Sequence, residues 1–222
     1  MQGSLTMNER VEIDHDLMKR AKEAEFYETP LWAAERILDH ELLTENVLDP
    51  CAGRGVLGEA LEEAGYVPHE YDLNAWPDRR LGIITPFNFL DKGVRDDLKY
   101  LTNHPRGFSV MLNPPFSLTC EFIERSLDLG ARKILMFQRF SFLESAGRRG
   151  FFEKLPPARV WLCGDRAHCW RGDIPEEDIL DENGSVLAKG KKGRSSPTAH
   201  AWYVWEDGHK GSMSVHHLYR NR

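Results

Sequence analysis

Val47-Leu48-Asp49-Pro50-Cys51-Ala52-Gly53-Arg54-Gly55 decides the fold of this chain, because one stretch carries a strand, a turn and the start of a helix. Asn46 to Asp49 reads as a short buried strand, and Val56 to Gly65 as a helix that stops at glycine. Gly53, Gly55 and Gly58 satisfy G-x-G-x-x-G, which invites a dinucleotide-binding reading, although the match alone is weak. The physical need is the same for several ligands, since glycines let the backbone approach closely. The carboxylate of Asp49 separates the readings. It would repel a pyrophosphate and attract a cationic amino-acid end such as that of S-adenosylmethionine (AdoMet).

Working outward, strand-like and helix-like runs alternate from residue 30 to about residue 165. That order predicts an α/β domain with a mostly parallel sheet flanked by helices. Thr29 is placed to N-cap a helix with Pro30 at its first position, running to about Leu43. Tyr66 to Asp72 is the second strand, Ile83-Ile84 a third, and Val94 to Asn103 a polar helix. Phe108 to Leu112 is a buried strand, followed by a helix over about Leu118 to Leu129. Lys133 to Phe137 and Arg159 to Cys163 are further strands, separated by a helix over about Ser145 to Leu155. Gly172 to Thr198 has few apolar residues and is expected to be a long mobile loop, before a last apolar strand at Ala201 to Trp205. No repeat and no linker divides the chain, so residues 25–222 form one domain behind an extension of residues 1–24, in which Met1 to Thr6 precede a second start at Met7.

At 222 residues and 41% hydrophobic the chain can build one full core. No run reaches the roughly 20 apolar residues of a membrane span, and no basic-then-apolar signal opens the chain. The four cysteines are irregularly spaced; Cys163, His168 and Cys169 match no common zinc pattern, so buried free thiols and no metal are expected. The net charge of −6 argues against a protein that coats nucleic acid indiscriminately, yet the charge is uneven. Residues 1–50 carry 5 basic and 12 acidic side chains, whereas residues 131–171 carry 9 basic and 3 acidic. Such a chain can present a positive face to a polyanion, unless the clustering is simply a solvated surface.

Asn113-Pro114-Pro115-Phe116 closes the strand of Phe108 to Leu112. Two prolines withhold N–H donors and fix the chain direction, leaving an amide, outward carbonyls and an aromatic face. That set suits a planar group bearing N–H donors, such as a nucleobase amine; the alternative is an ordinary strand-ending turn. Asp72, 17 residues after Gly55, is placed to accept hydrogen bonds from two ribose hydroxyls, or else to serve as a loop carboxylate or helix cap. Phe87-Asn88-Phe89-Leu90 sits where a third strand would end, with an aromatic to cover an adenine and Asn88 to meet its amine, or with both phenylalanines in the core.

With these pieces in order, the chain resembles the AdoMet-dependent amino-methyltransferases, specifically the DNA adenine-N6 type that includes phage and Dam-like enzymes. The likeness is carried by Phe26-Tyr27-Glu28-Thr29-Pro30, Asp49 to Gly55, Asp72, Phe87 to Leu90, Asn113 to Phe116, Arg139 to Glu144 and Ala201 to Trp205. One departure is Asn88-Phe89 where the family usually has Asp-Phe. The resemblance implies a Rossmann-like class I methyltransferase fold, with a seven-stranded sheet whose last strand is antiparallel. It implies that Asn113, Pro114, Pro115 and Phe116 form the catalytic turn. It also implies a cofactor site built by Tyr27, Thr29, Pro30, Asp49, Pro50, Ala52, Gly53, Gly55, Asp72, Asn88 and Phe89.

DNA is the expected partner and the cytoplasm of a bacterial or phage-infected cell the expected location. Arg139, Arg148 and Arg149, with Lys189, Lys191, Lys192 and Arg194 of the late loop, are the candidate phosphate contacts. The same turn serves methylation of adenine in RNA, of the cytosine amine and of protein glutamine. A silent nucleic-acid-binding member is a further alternative. Only about 25 residues precede the Tyr27 motif, too few for a helical recognition domain.

Overall fold

The computed structural model describes residues 23–172, 174, 178–180, 186–190 and 198–221. The strands in chain order are β1 (Tyr27–Glu28), β2 (Asn46–Asp49), β3 (Val67–Glu70), β4 (Ser109–Leu112), β5 (Lys133–Arg139), β6 (Arg159–Cys163), β7 (Trp170–Arg171), β8 (Ile179–Leu180), β9 (Val186–Ala188), β10 (His200–Glu206) and β11 (Ser214–Leu218). The α-helices are α1 (Leu31–Leu38), α2 (Val56–Glu63), α3 (Val94–Asp97), α4 (Lys99–Thr102), α5 (Thr119–Asp128) and α6 (Arg149–Lys154).

Seven strands make one sheet in the order β3-β2-β4-β5-β10-β6-β11. All pairs are parallel except those of β10, which runs antiparallel to both β5 and β6. The α/β, Rossmann-like architecture is therefore as the sequence implied, with the antiparallel strand over the expected residues. The chain does not end its sheet there, because β11 returns as a parallel edge strand beside β6. The expected third strand at Ile83-Ile84 shrinks to a single bridge between Tyr71 and Ile84.

Both faces of the sheet are covered, and side chains alternate between them as the pleat requires. Val110 and Leu112 of β4, with Ile134 and Met136 of β5, join the core beneath α5. Met111, Leu135 and Phe137, one residue out of phase, join the core beneath α1 and α2. Trp202 of β10 faces that second core and its indole N–H donates to the Ala33 carbonyl of α1 at 2.9 Å.

The helices are shorter than their apolar periodicity predicts. The first stops at Leu38 instead of Leu43, because Glu41 leaves the helix to be buried under the sheet. There it takes a bidentate pair from Arg159 (2.7 and 2.9 Å), a bond from the Trp161 indole (2.9 Å) and one from Lys133 (3.1 Å). Glu206 completes this cluster through Arg159 and Lys133. The polar helix of residues 94–103 breaks into the single turns α3 and α4 at Leu98. The segment 145–155 begins as a 3-10 turn before α6. The stretch 172–198, expected to be an unstructured loop, contains the antiparallel pair β8–β9. Among the described residues, no helix is long and apolar enough to cross a membrane.

The chain runs outward from β2 to β3, then returns to β4 on the opposite side of β2. Reversal of direction there opens a crevice beyond the C-terminal ends of β2 and β4, the usual ligand position in such sheets. Asp49 closes β2, and Asn113 immediately follows β4.

Candidate active site

A cavity of about 270 Å³ occupies that crevice. Its wall is built by residues 23–29, the Asp49–Arg54 turn, Asp72 to Asn74 with Trp76, Phe87 to Leu90, and Asn113 with Pro115. Of the expected cofactor residues, Tyr27, Thr29, Asp49, Pro50, Ala52, Gly53, Asp72, Asn88 and Phe89 line it. Pro30 and Gly55 do not, and neither do Pro114 and Phe116 of the Asn-Pro-Pro-Phe turn.

Asp49 is the buried charge of the site. It has no solvent exposure, its Oδ1 accepts the Cys51 N–H at 3.2 Å, the Cys51 thiol lies beside the carboxylate, and its Oδ2 has no partner among the described residues. Burial pushes its pKa well above the ordinary 3.8, and the carboxylates of Glu70 and Asp72 push the same way. An orphaned carboxylate oxygen in a cavity wall is a site for a cation or a donor. Asp72 is also buried and shifted upward by desolvation, but it is better satisfied. Its Oδ2 accepts the Gly53 N–H at 2.8 Å and its Oδ1 the Asn74 N–H at 2.7 Å, tying the stretch after β3 to the glycine turn.

The glycines answer to protein packing. Gly53 has φ +61°, and a Cβ there would lie 2.7 Å from the Phe26 ring. Gly55 and Gly58 make room for a buried pair: a Cβ would come within 2.1 Å of Arg80 Cγ at the first and of Glu70 Oε1 at the second. Glu70 is pushed up to about 7 by burial, against the pull of Arg80 at 3.6 Å.

Residues 23–29 form a strap across the cavity. Phe26 stacks on Trp76 with centroids 4.2 Å apart, and β1 pairs with β7. Arg54 pins three segments together, donating to Glu28 Oε1 (2.9 Å), the Gly172 carbonyl (3.0 Å) and the Pro77 carbonyl (3.1 Å). Glu25 accepts both the N–H and the hydroxyl of Ser117, at 2.9 and 2.7 Å. Sequence reading missed Glu25, Arg54, Trp76 and Ser117. Arg54 sits inside the glycine motif and Glu25 beside Phe26, which are the signals nearest to them; Trp76 and Ser117 have none.

The expected helix cap at Thr29 is not formed. α1 starts behind Pro30 without a side-chain cap, and the Thr29 hydroxyl instead accepts from Asn113 Nδ2 at 2.9 Å. The same nitrogen donates to the Tyr27 carbonyl at 2.7 Å. A carbonyl cannot donate, so the amide orientation is fixed with nitrogen towards the strap. Asn113 Oδ1 then takes no hydrogen bond among the described residues. Nor does the Pro114 carbonyl, whereas the Pro115 carbonyl is taken by Leu118 N–H at 3.0 Å. Two unused acceptors therefore adjoin at the turn. Phe116 stacks with Tyr27 at 5.1 Å and carries the Arg139 guanidinium 4.0 Å from its ring centre.

Phe87 and Phe89 are largely core residues, packed on Tyr71 and Phe122 while reaching the cavity wall. Asn88 is exposed, and its Oδ1 accepts the Leu90 N–H at 3.1 Å. Among the expected phosphate contacts, Arg139 sits beside the turn. Arg148 is turned inward onto the Phe142 carbonyl (2.9 Å), and Arg149 pairs with Glu153 (2.7 Å) on the surface. Lys189 pairs with Asp178 at 3.5 Å. Lys191, Lys192 and Arg194 lie outside the described residues. All four cysteines are free thiols.

No protein-family model matches the sequence, and no curated protein matches it significantly. Solved structures give similarities. One is a protein assigned as the modification subunit of a type I restriction enzyme from Vibrio vulnificus YJ016, at TM-score 0.48 and 15% identity, covering 90% of this chain and 49% of that one. Another is the type I restriction-modification methyltransferase subunit from Streptococcus thermophilus, at TM-score 0.47 and 12% identity, with coverages of 83% and 45%. A third is a protein assigned as a class I S-adenosylmethionine-dependent methyltransferase from Listeria monocytogenes, at TM-score 0.44 and 11% identity, with coverages of 96% and 67%. The chain thus spans about half the length of the first two.

Proposed function

We propose that this protein transfers a methyl group from AdoMet to the exocyclic amine of adenine in DNA. The observation that carries the reading is the meeting of opposites in one cavity wall: a buried carboxylate oxygen without a partner, Asp49 Oδ2, and an amide whose free end is an acceptor, Asn113 Oδ1. The first fits the cationic half of AdoMet and the second fits an amine. When bound, AdoMet supplies an electrophilic methyl group on a sulfonium.

The residues present fit that cofactor. Asp49 offers an uncompensated negative charge, Asp72 lines the wall with remaining lone pairs, and Phe87 and Phe89 offer apolar surface. Asn88 lines the wall too, its oxygen accepting the Leu90 N–H and its amide nitrogen left as a donor.

An aryl amine is a poor nucleophile because its lone pair is delocalised into the ring. Asn113 Oδ1 and the Pro114 carbonyl, accepting its two N–H bonds, hold the nitrogen in a pyramidal form. Positive charge growing on that nitrogen then meets two acceptors already in place, which is stabilisation without reorganisation. No dedicated base is needed, because the proton leaves after the nitrogen has become cationic. Phe116 and Tyr27 supply aromatic surface beside the turn, and a duplex target would be flipped out of its stack to reach it.

The test is incubation with labelled AdoMet and separate DNA, RNA and protein pools, followed by nucleoside and amino-acid analysis. N6-methyladenine in DNA supports the proposal. Label only in RNA, in cytosine or in glutamine overturns the substrate, and absence of AdoMet binding by calorimetry overturns the enzyme.

A further inference from the structure

The strap that closes the cavity is bonded at two places to the turn on its far side. Glu25 holds the backbone and hydroxyl of Ser117, while the Tyr27 carbonyl and Thr29 hydroxyl hold the side chain of Asn113. Thr29 is buried, at 6% exposure, and is followed by Pro30, whose ring fixes the backbone entering α1. We infer that Thr29 is a positioning residue, whose hydroxyl, together with the Tyr27 carbonyl, locks the Asn113 amide so that oxygen and not nitrogen faces the incoming amine. The inference rests on the reading of Asn113 as amine acceptor.

The two ends of a primary amide have nearly the same shape and opposite hydrogen-bonding character. A flipped Asn113 would present N–H donors to an amine that itself needs acceptors. It would also set Oδ1 against the Tyr27 carbonyl at the 2.7 Å now spanned by the donated bond, acceptor against acceptor. Two acceptors for two amide hydrogens remove that alternative. Loss of the hydroxyl leaves the Tyr27 carbonyl, with the Cys169 thiol beside the amide, to hold the orientation. The same stretch of chain thereby lines the cofactor cavity and sets the chemistry of the acceptor turn.

The experiment compares Thr29→Val, Thr29→Ala and Thr29→Ser with the parent, and each again in an Asn113→Ala background. Single-turnover methyl transfer should fall roughly 3- to 10-fold in Thr29→Val and Thr29→Ala, the loss expected for one net hydrogen bond, and recover in Thr29→Ser. Thr29 also lines the cofactor cavity, so AdoMet affinity is measured beside the rate: the rate should fall further than the affinity, and that excess should vanish in the Asn113→Ala background. With Asn113→Ala the three Thr29 variants should be indistinguishable from each other. Independently of activity, the Asn113 side-chain amide, followed by ¹⁵N NMR, should exchange faster in Thr29→Val and Thr29→Ala than in the parent. An equal loss of rate in the Asn113→Ala background, a loss of AdoMet affinity with the rate intact, or unchanged amide exchange would each overturn the inference. If the parent transfers no methyl group at all, the proposed function fails, while amide exchange still decides the positioning.

Discussion

Asp49→Asn should make the ligand-free protein more stable and the cofactor site useless. Asp49 has no exposure, one N–H bond from Cys51 and one oxygen without a partner, with Glu70 and Asp72 adding repulsion. Its folded pKa is raised, so the folded state binds a proton more tightly than the unfolded chain does. The carboxylate therefore destabilises progressively as pH rises above about 3.8, its ordinary value, and the whole penalty is present once the folded group has ionised. Asparagine keeps an oxygen for the Cys51 N–H and removes the charge, leaving an unsatisfied N–H of smaller cost. A net gain of roughly 1–3 kcal/mol follows from the typical penalty of an unsatisfied buried polar group. For a chain of this length that is a rise of about 2–12 °C in Tm. The difference should be small near pH 4, where Asp49 is protonated, and should grow towards neutrality. Added AdoMet at about 100 times its Kd would stabilise the parent by ~2.7 kcal/mol and leave Asp49→Asn unmoved. Thermal melts of both proteins at acid and neutral pH, with and without AdoMet, measure every part of this. A variant less stable than the parent without ligand, yet still shifted by AdoMet, would refute the reasoning.

Asn113→Ala should slow single-turnover methyl transfer by ~10²–10³-fold, about 2.7–4 kcal/mol by analogy with a lost oxyanion-hole donor, while calorimetric AdoMet affinity is retained. Glu41→Gln leaves Arg159 and Lys133 sharing Glu206 alone, and a broken buried ion cluster costs roughly 3–5 kcal/mol, visible as a Tm drop of about 6–20 °C. The folded pKa values of Glu41 and Glu206 are lowered, so the stability they contribute is present above their ordinary 4.5 and is lost as pH falls below it; the parent's melting curve should lose that stability on acidification, and Glu41→Gln should lose less. Arg139→Ala should reduce the slope of log affinity for DNA against log salt by about 1 if its guanidinium meets a phosphate, whereas Arg149→Ala, whose partner is Glu153, should leave that slope unchanged.

What could be read from sequence was set by periodicity and by strand ends. Strands β4, β5 and β10 carry unbroken apolar runs between polar ends because helices cover both faces of the sheet, so their existence and limits were legible to within two residues. β11 was not legible: Ser-Val-His-His-Leu lies at the sheet edge with Val215 half exposed, and it carries no apolar signature. The helix at 31–43 misled for another reason. Its apolar residues continue beyond Leu38, yet Glu41 is bonded to Arg159, Lys133 and Trp161 outside the helix. Pairing across more than ninety residues leaves no local trace.

The site shows the same division, with a consequence for how its motifs are read. Asp49 and Asn113 were singled out by motifs placed after apolar runs, and the strand order sets them at the ends of adjacent parallel strands where the sheet direction switches. The roles of Gly53, Gly55 and Thr29 follow from side chains that sequence spacing cannot bring near. Gly53 clears the Phe26 ring, Gly55 clears Arg80, and Thr29 holds an amide 84 residues away. The glycine spacing that suggested a nucleotide phosphate thus makes room for a buried acid and a strap. A Gly55→Ala variant would meet Arg80 and the strain of φ +95° before it met any ligand. It follows that loss of cofactor binding on substitution at Gly55 would report a displaced helix start, whereas the same loss at Asp49 without loss of stability can report only the missing charge.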